Sequence, residues 1–148
     1  MTTLNDTFMP VGTIARVRDR KPAEYLGEVT ALGLHYCQLG GVADNLLFGP
    51  DRAERVAELK ETAAKLKLTI TALWVPFAGQ RWGYADAPRY NGLVPEQFRA
   101  ERMIRCCMAS QTARELGIGI LAAHVGFIPE DPQETAYKNF VGDFRYLL

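Results

Sequence analysis

The apolar positions along this chain alternate between two patterns. Residues 11–17, 34–39, 69–75 and 118–124 are short runs of β-branched and aliphatic side chains without strict alternation, as expected of strands covered on both sheet faces. The segments between and after them follow a helical period. The first, from 22 to 32, places Tyr25, Val29 and Leu32 on one face. The second begins at Pro50-Asp51 and shows Val56, Leu59, Ala63 and Leu66. The third opens at Pro95-Glu96 with Met103, Cys106, Ala109, Ala113 and Leu116. The fourth starts near Asp131-Pro132, a capping residue followed by proline at the first helical position. Its apolar face is Tyr137, Phe140, Val141, Phe144 and Leu148. The order β-α-β-α-β-α-β-α predicts a parallel sheet with helices packed against it.

A weak internal repeat supports that order. Leu32-Gly33-Leu34, Leu66-Lys67-Leu68 and Leu116-Gly117-Ile118 each stand where a helix should end and a strand begin. Glycine suits the position just past a helix end because it adopts the left-handed conformation without a Cβ clash. Lys67 takes that place in the second copy, at some cost in strain. The copies lie 34 and 50 residues apart, and the surplus falls in segment 76–94. A long loop in a compact domain is often functional. This one follows a strand, and α/β folds bind ligands at the C-terminal ends of strands. The last helix stops in mid-pattern at Leu148 without a glycine cap or polar tail, which reads as the N-terminal part of something longer.

Composition narrows the class. With 148 residues, 48% hydrophobic and 23% charged, the chain is ordinary for a globular protein. A compact chain of this size buries about 68% of its unfolded surface, enough for one core, so residues 1–148 read as one domain. No stretch approaches the ~20 apolar residues of a membrane span. Met1 to Asp6 show neither the basic nor the apolar region of a signal peptide. Seventeen basic residues cancel seventeen acidic ones, which argues against a nucleic-acid surface. Three cysteines, Cys37 and the adjacent Cys106 and Cys107, argue against a disulfide framework. The expected compartment is the reducing cytoplasm.

The densest candidate chemistry lies in Ala122-Ala123-His124-Val125-Gly126-Phe127. A histidine ends the fourth strand two residues before a glycine, where its imidazole either ligates a metal, donates to a substrate hydroxyl or bonds a neighbouring carbonyl. The loop after the third strand is next. Trp74, Phe77, Arg81, Trp82, Tyr84, Arg89 and Tyr90 give it aromatic and basic content. Aromatic faces stack on sugar C–H surfaces and arginine binds phosphate bidentately. Trp74, Arg81 and Trp82 are therefore the candidate substrate-binding residues, against the alternative of rim packing or a subunit contact. Arg99, Arg102 and Arg105, three apart on the third helix, read as a solvated face. His35 reads as structural, and Cys106 as inert packing. Gly40-Gly41 suits either a tight turn or a backbone approach to ligand. No Walker-type loop, His-Glu-x-x-His or paired Cys-x-x-Cys is present.

The fourth unit, from Glu115-Leu116-Gly117-Ile118 through His124-Val125-Gly126-Phe127-Ile128-Pro129, resembles the sugar phosphate isomerase/epimerase family, the xylose-isomerase-like TIM barrels. Residues 31–39 look like that family's second strand and Thr69-Ile70-Thr71-Ala72-Leu73 like its third. The resemblance runs from about residue 11 to 148. It implies an eight-stranded (β/α)8 barrel, of which about four βα units, a half barrel, are present. It implies a divalent metal (Mn, Mg, Co or Zn), held mainly by Glu, Asp and His residues on the fifth and later strands. It also implies a sugar or polyol substrate and proton transfer next to a carbonyl. Such a metal polarises the carbonyl while a carboxylate moves the carbon-bound proton. His124 matches the family's fourth-strand histidine, as a catalytic residue and metal or substrate ligand.

Two departures bear on activity. Gln38 stands where many relatives carry glutamate, and strands five to eight have no counterpart before Leu148, so the main metal ligands are absent. The chain alone should be inactive, and two copies could close their open edges in a homo-oligomer. An inosose-type dehydratase would share this half. An endonuclease-type hydrolase would need more histidines than His35 and His124. A non-catalytic, doubly wound ligand-binding module differs by reversing its strand order at a switch point.

Overall fold

The computed structural model describes residues 10–147. The signal-peptide reading of Met1 to Asp6 and the place of Leu148 on the last apolar face lie outside them. Strands β1 (Gly12–Arg16), β2 (Tyr36–Gly40), β3 (Thr69–Val75) and β4 (Leu121–Ala123) alternate with helices α1 (Pro22–Ala31), α2 (Arg52–Lys65), α4 (Glu96–Leu116) and α5 (Thr135–Phe144). A single-turn helix, α3 (Ala87–Tyr90), interrupts the long loop. All pairings are parallel and the spatial order is β1-β2-β3-β4. The order never reverses, so the sheet is an arc of a barrel and not a doubly wound sheet.

Burial separates the two sheet faces. Ala15, Val17, Cys37, Leu39, Leu73 and Val75 are buried against Tyr25, Leu26, Val29, Val56, Leu59, Cys106 and Ala109 of the helices. The opposite face is open and carries Ile14, Arg16, Tyr36 and Gln38, all exposed. One bulge sets which face the next residues reach. Cys37 pairs with Ile70 but Gln38 pairs with Ala72, so Thr71 is an extra residue whose hydroxyl donates to the Cys37 carbonyl at 3.1 Å. An inserted residue inverts the side-chain parity beyond it. Leu73 and Val75 thereby enter the core, and Trp74 turns to the open face.

The three repeat copies share one hydrogen-bond geometry. Gly33, Lys67 and Gly117 all have positive φ, at 72°, 53° and 74°. In each, that residue's N–H donates to the carbonyl three residues back, and the next N–H donates to the carbonyl five back. This is the Schellman closure, with the second residue packed on the helix it ends. Lys67 pays the Cβ penalty of the left-handed region, roughly 1–2 kcal/mol. Lys67→Gly is therefore expected to stabilise the protein by about 1 kcal/mol, read as a higher urea midpoint at unchanged slope. An unchanged or lower midpoint would contradict the strain.

Three helix expectations are corrected. Leu32 caps α1 and is 69% exposed, because the left-handed turn at Gly33 lifts it off the apolar face. The last helix begins at Thr135, not at Asp131-Pro132. Asp131 instead makes a turn of its own: its carboxylate accepts the Gln133 N–H at 2.8 Å and its carbonyl the Glu134 N–H. The third correction concerns α4. Arg99 and Arg102 are 5% and 3% exposed, and Arg105 lies against Phe48 and pairs with Asp44. The arginine row thus faces protein, not water: the long loop folds back over Arg99 and Arg102, and the segment of Asp44 and Phe48 covers Arg105.

The thiols behave as core groups. Burial pushes Cys37 and Cys106 up to about 11, and raises the Tyr25 phenol as well. Above an ordinary thiol value of 9.0, the unfolded chain has ionised where the folded one has not, so it binds fewer protons. Their contribution is complete below about 9 and is lost as pH rises towards about 11. Urea unfolding at pH 8 and pH 10 is expected to show a lower midpoint at pH 10. Replacing Cys37 and Cys106 by alanine should reduce that drop, and an equal drop in the double variant would refute the assignment.

Candidate functional site

His124 follows the last residue of β4, at the C-terminal end of the sheet. Trp74, the penultimate residue of β3, approaches its ring edge-on, with centroids 5.1 Å apart and planes at 71°. Trp82, from the long loop, approaches from another side at 4.7 Å and 64°. These are the chain's two tryptophans, and both touch the same imidazole. His124 is half-buried, and no hydrogen bond from a described side chain reaches its ring. A cavity of about 560 Å³ opens here, lined by Trp82, Tyr84, Asn91, His124 and Phe127, within the size range of small-molecule sites. Trp82 is 65% exposed and Tyr84 fully exposed.

Helix α4 holds the loop that carries these rings. Arg102 donates to the carbonyls of Gly92 (2.6 Å) and Ala78 (3.0 Å), bracketing the loop from beneath. Its guanidinium sits between Phe77 and Phe98, 5.4 and 4.5 Å from their centroids, where burial depresses its basicity. Arg99 donates to the carbonyls of Leu93 and Val94 and pairs with Asp143 of α5 at 2.8 Å. The loop is then stitched to the strand end. Leu93 and Val94 N–H groups both donate to the Val125 carbonyl, one residue past His124. Gly92 and Gly126 meet backbone to backbone at this junction, each at positive φ.

The structure gathers His124, Trp74 and Trp82, and places Arg81 elsewhere. The Arg81 guanidinium stacks over Tyr90 at 4.1 Å, and the Arg81 backbone N–H donates to Asn91 Oδ1 at 2.7 Å. Arg89 is exposed, its carbonyl accepting from Gln97. Asn91 is the residue that sequence reasoning passed over. It is 3% exposed and its Nδ2 has no partner among the described residues. The Asn91-Gly92 dipeptide is a turn signature that could have marked it.

A resident metal does not fit these residues by themselves. Among the described residues no three His, Cys, Asp or Glu side chains converge, and the neighbours of His124 are indole rings. No helix of the described residues is long and apolar enough to cross a membrane.

No family model and no curated protein matches the sequence. Solved structures do match the fold. A xylose isomerase domain protein from Planctomyces limnophilus superposes with a TM-score of 0.83 at 22% identity, over 95% of this chain and 48% of that one. A protein assigned as a xylose isomerase from Rhodospirillum rubrum superposes with a TM-score of 0.65 at 17% identity, with the same two coverages. The fold is that of a xylose-isomerase-like TIM barrel. The chain spans about half the length of these neighbours, so four βα units form half of that barrel.

Proposed function

We propose that this chain is the substrate-gripping half of a sugar or sugar phosphate isomerase or epimerase of the cytoplasm. The observation that carries this reading is the His124 ring, unbonded among the described residues, between Trp74 and Trp82 at a strand's C-terminal end, beside the 560 Å³ cavity. Indole and phenol faces cover the C–H surface of a sugar. The imidazole exchanges a hydrogen bond with a hydroxyl or carbonyl oxygen, and there it can hold or pass a proton. The fold neighbours' names accord with that chemistry. The divalent metal expected of the whole barrel finds no ligand set in these residues, and we route no step through it.

Binding is measurable in this half, because Trp82 lines the cavity and Trp74 touches His124 in its wall. Titration with aldoses, ketoses, cyclic polyols and their phosphates is expected to change the indole emission. His124→Ala should weaken that binding about 3–10-fold, the loss of one ordinary hydrogen bond. Trp82→Ala should weaken it comparably, as the loss of one aromatic contact worth about 0.5–1.5 kcal/mol. A panel in which no sugar, polyol or phosphate perturbs the emission would sink the reading.

A further inference from the structure

Asn91 stands in the wall of the cavity beside His124, together with Trp82, Tyr84 and Gly126. It also caps the single-turn helix α3, where its backbone N–H donates to the Ala87 carbonyl at 3.0 Å. Its Oδ1 accepts the Arg81 backbone N–H at 2.7 Å. That bond fixes the orientation of the amide, because a flipped group would set its NH2 against another N–H. Nδ2 is left over, buried and without a partner among the described residues. An amide NH2 donates two hydrogen bonds and accepts none, and buried donors in native proteins are nearly always paired.

We propose that Asn91 is a ligand-binding residue that sets specificity: its Nδ2 donates to a hydroxyl, carbonyl or phosphate oxygen of the small molecule held beside His124. This role rests on the sugar-binding reading of the site. The chain's own residues enclose Asn91, which is 3% exposed. Its backbone carbonyl abuts Gly126, and Arg81 and Ala87 hold it from the loop side. Protein packed on the outer surface therefore does not reach Nδ2, and the cavity is the approach that remains. Trp82 and Tyr84 in the same wall are 65% and fully exposed. Exposed side chains change rotamer within nanoseconds, so a ligand can reach a donor that bulk water does not cover.

The two polar anchors differ in what they accept. A neutral imidazole both donates and accepts, whereas the Asn91 NH2 only donates. The pair selects a ligand with oxygen at both points. It rejects one that turns an ammonium or a methyl group to Asn91, since the buried donor then stays unpaired.

Heteronuclear NMR of the 148-residue chain tests this role, with xylose, inositol and glucose 6-phosphate as probes. The Asn91 side-chain NH2 resonances should shift in step with the indole emission, at the same ligand concentration. Asn91→Asp at pH 8 keeps an oxygen for the Arg81 N–H but turns an acceptor towards the ligand. It should weaken binding about 10–100-fold, the effect of leaving a buried polar group unpaired. Gln80→Glu is the control. Gln80 makes the matching tie across the loop, its Oε1 accepting the Gly92 N–H at 3.1 Å, but it does not line the cavity, and the variant should bind as wild type. Asn91 resonances that stay fixed while the tryptophans respond would overturn the role and leave the sugar-binding reading standing. Wild-type affinity in Asn91→Asp, or an equal loss in Gln80→Glu, would do the same. Probes that move neither the tryptophans nor Asn91 would fell both. Should Asn91→Asp fail to fold, the wild-type resonances decide alone.

Discussion

Gly92→Ala is expected to disorganise the cavity beside His124 and to destabilise the protein by several kcal/mol. A Cβ at this position would stand 2.2 Å from Gly126 N and 2.3 Å from the Val125 carbonyl carbon and oxygen. Those atoms are backbone, so no rotamer change relieves the contact. The φ of 76° adds the left-handed penalty, roughly 1–2 kcal/mol, to an overpacking cost of about 1–3 kcal/mol. The junction cannot open without losing the Leu93 and Val94 hydrogen bonds to Val125 at 2.6 and 3.0 Å. Near-UV circular dichroism should report the change, because both tryptophans depend on where His124 and the loop sit. Gly126→Ala brings a Cβ to 2.4 Å from the Asn91 carbonyl and is expected to behave alike. Wild-type urea midpoint and wild-type near-UV spectrum in either variant would contradict the backbone stitch.

Arg102→Met should cost about 2–4 kcal/mol, chiefly the Gly92 carbonyl left buried without a donor, with a smaller loss at the part-buried Ala78 carbonyl. The methionine retains most of the volume between Phe77 and Phe98 but leaves the Gly92 and Ala78 carbonyls without their donor. Each unsatisfied buried acceptor costs about 1–3 kcal/mol. Arg102→Lys is expected to recover little, since an ammonium lacks the planar fork that spans two carbonyls. Arg105 on the same helix supplies the comparison. Its partner Asp44 is 75% exposed, so Arg105→Met should cost at most about 1 kcal/mol. Denaturant unfolding of the three variants decides the matter, and equal losses at 102 and 105 would refute a special role for Arg102.

The arginines of α4 show where sequence reading stops. Arg99, Arg102 and Arg105 recur every three residues, a spacing that a solvated helix face and a face roofed by a loop share. The path of residues 76–94 over Arg99 and Arg102, and of Asp44 and Phe48 against Arg105, distinguishes them, and the loop's path depends on the bonds of Leu93 and Val94 to Val125, far away in the chain. Trp74 gives a second case. Plain alternation through β3 cannot carry Trp74 to the open face together with Ile70 to the core, and the bulge at Thr71 that permits both is visible only in the register with β2. His124 was legible because its position follows from local signals, an apolar run before it and Gly126 after it. Its aromatic neighbours were legible as loop composition, but not as contacts.

By itself the sequence determined the alternation of elements, the left-handed helix ends at Gly33, Lys67 and Gly117, the packing of Cys106, and the strand-end place of His124. Each of these rests on interactions within a few residues or on the burial of a side chain of given polarity, which a linear pattern records. Tertiary structure alone decided the strand order, the face on which Trp74 emerges, the removal of Arg81 to Tyr90, the burial of Asn91 and the clamp of Arg99 and Arg102. Those depend on register, on backbone approaches such as that of Gly92 to Gly126, and on carbonyl groups that every residue carries alike, so side-chain identity leaves no mark of them along the chain.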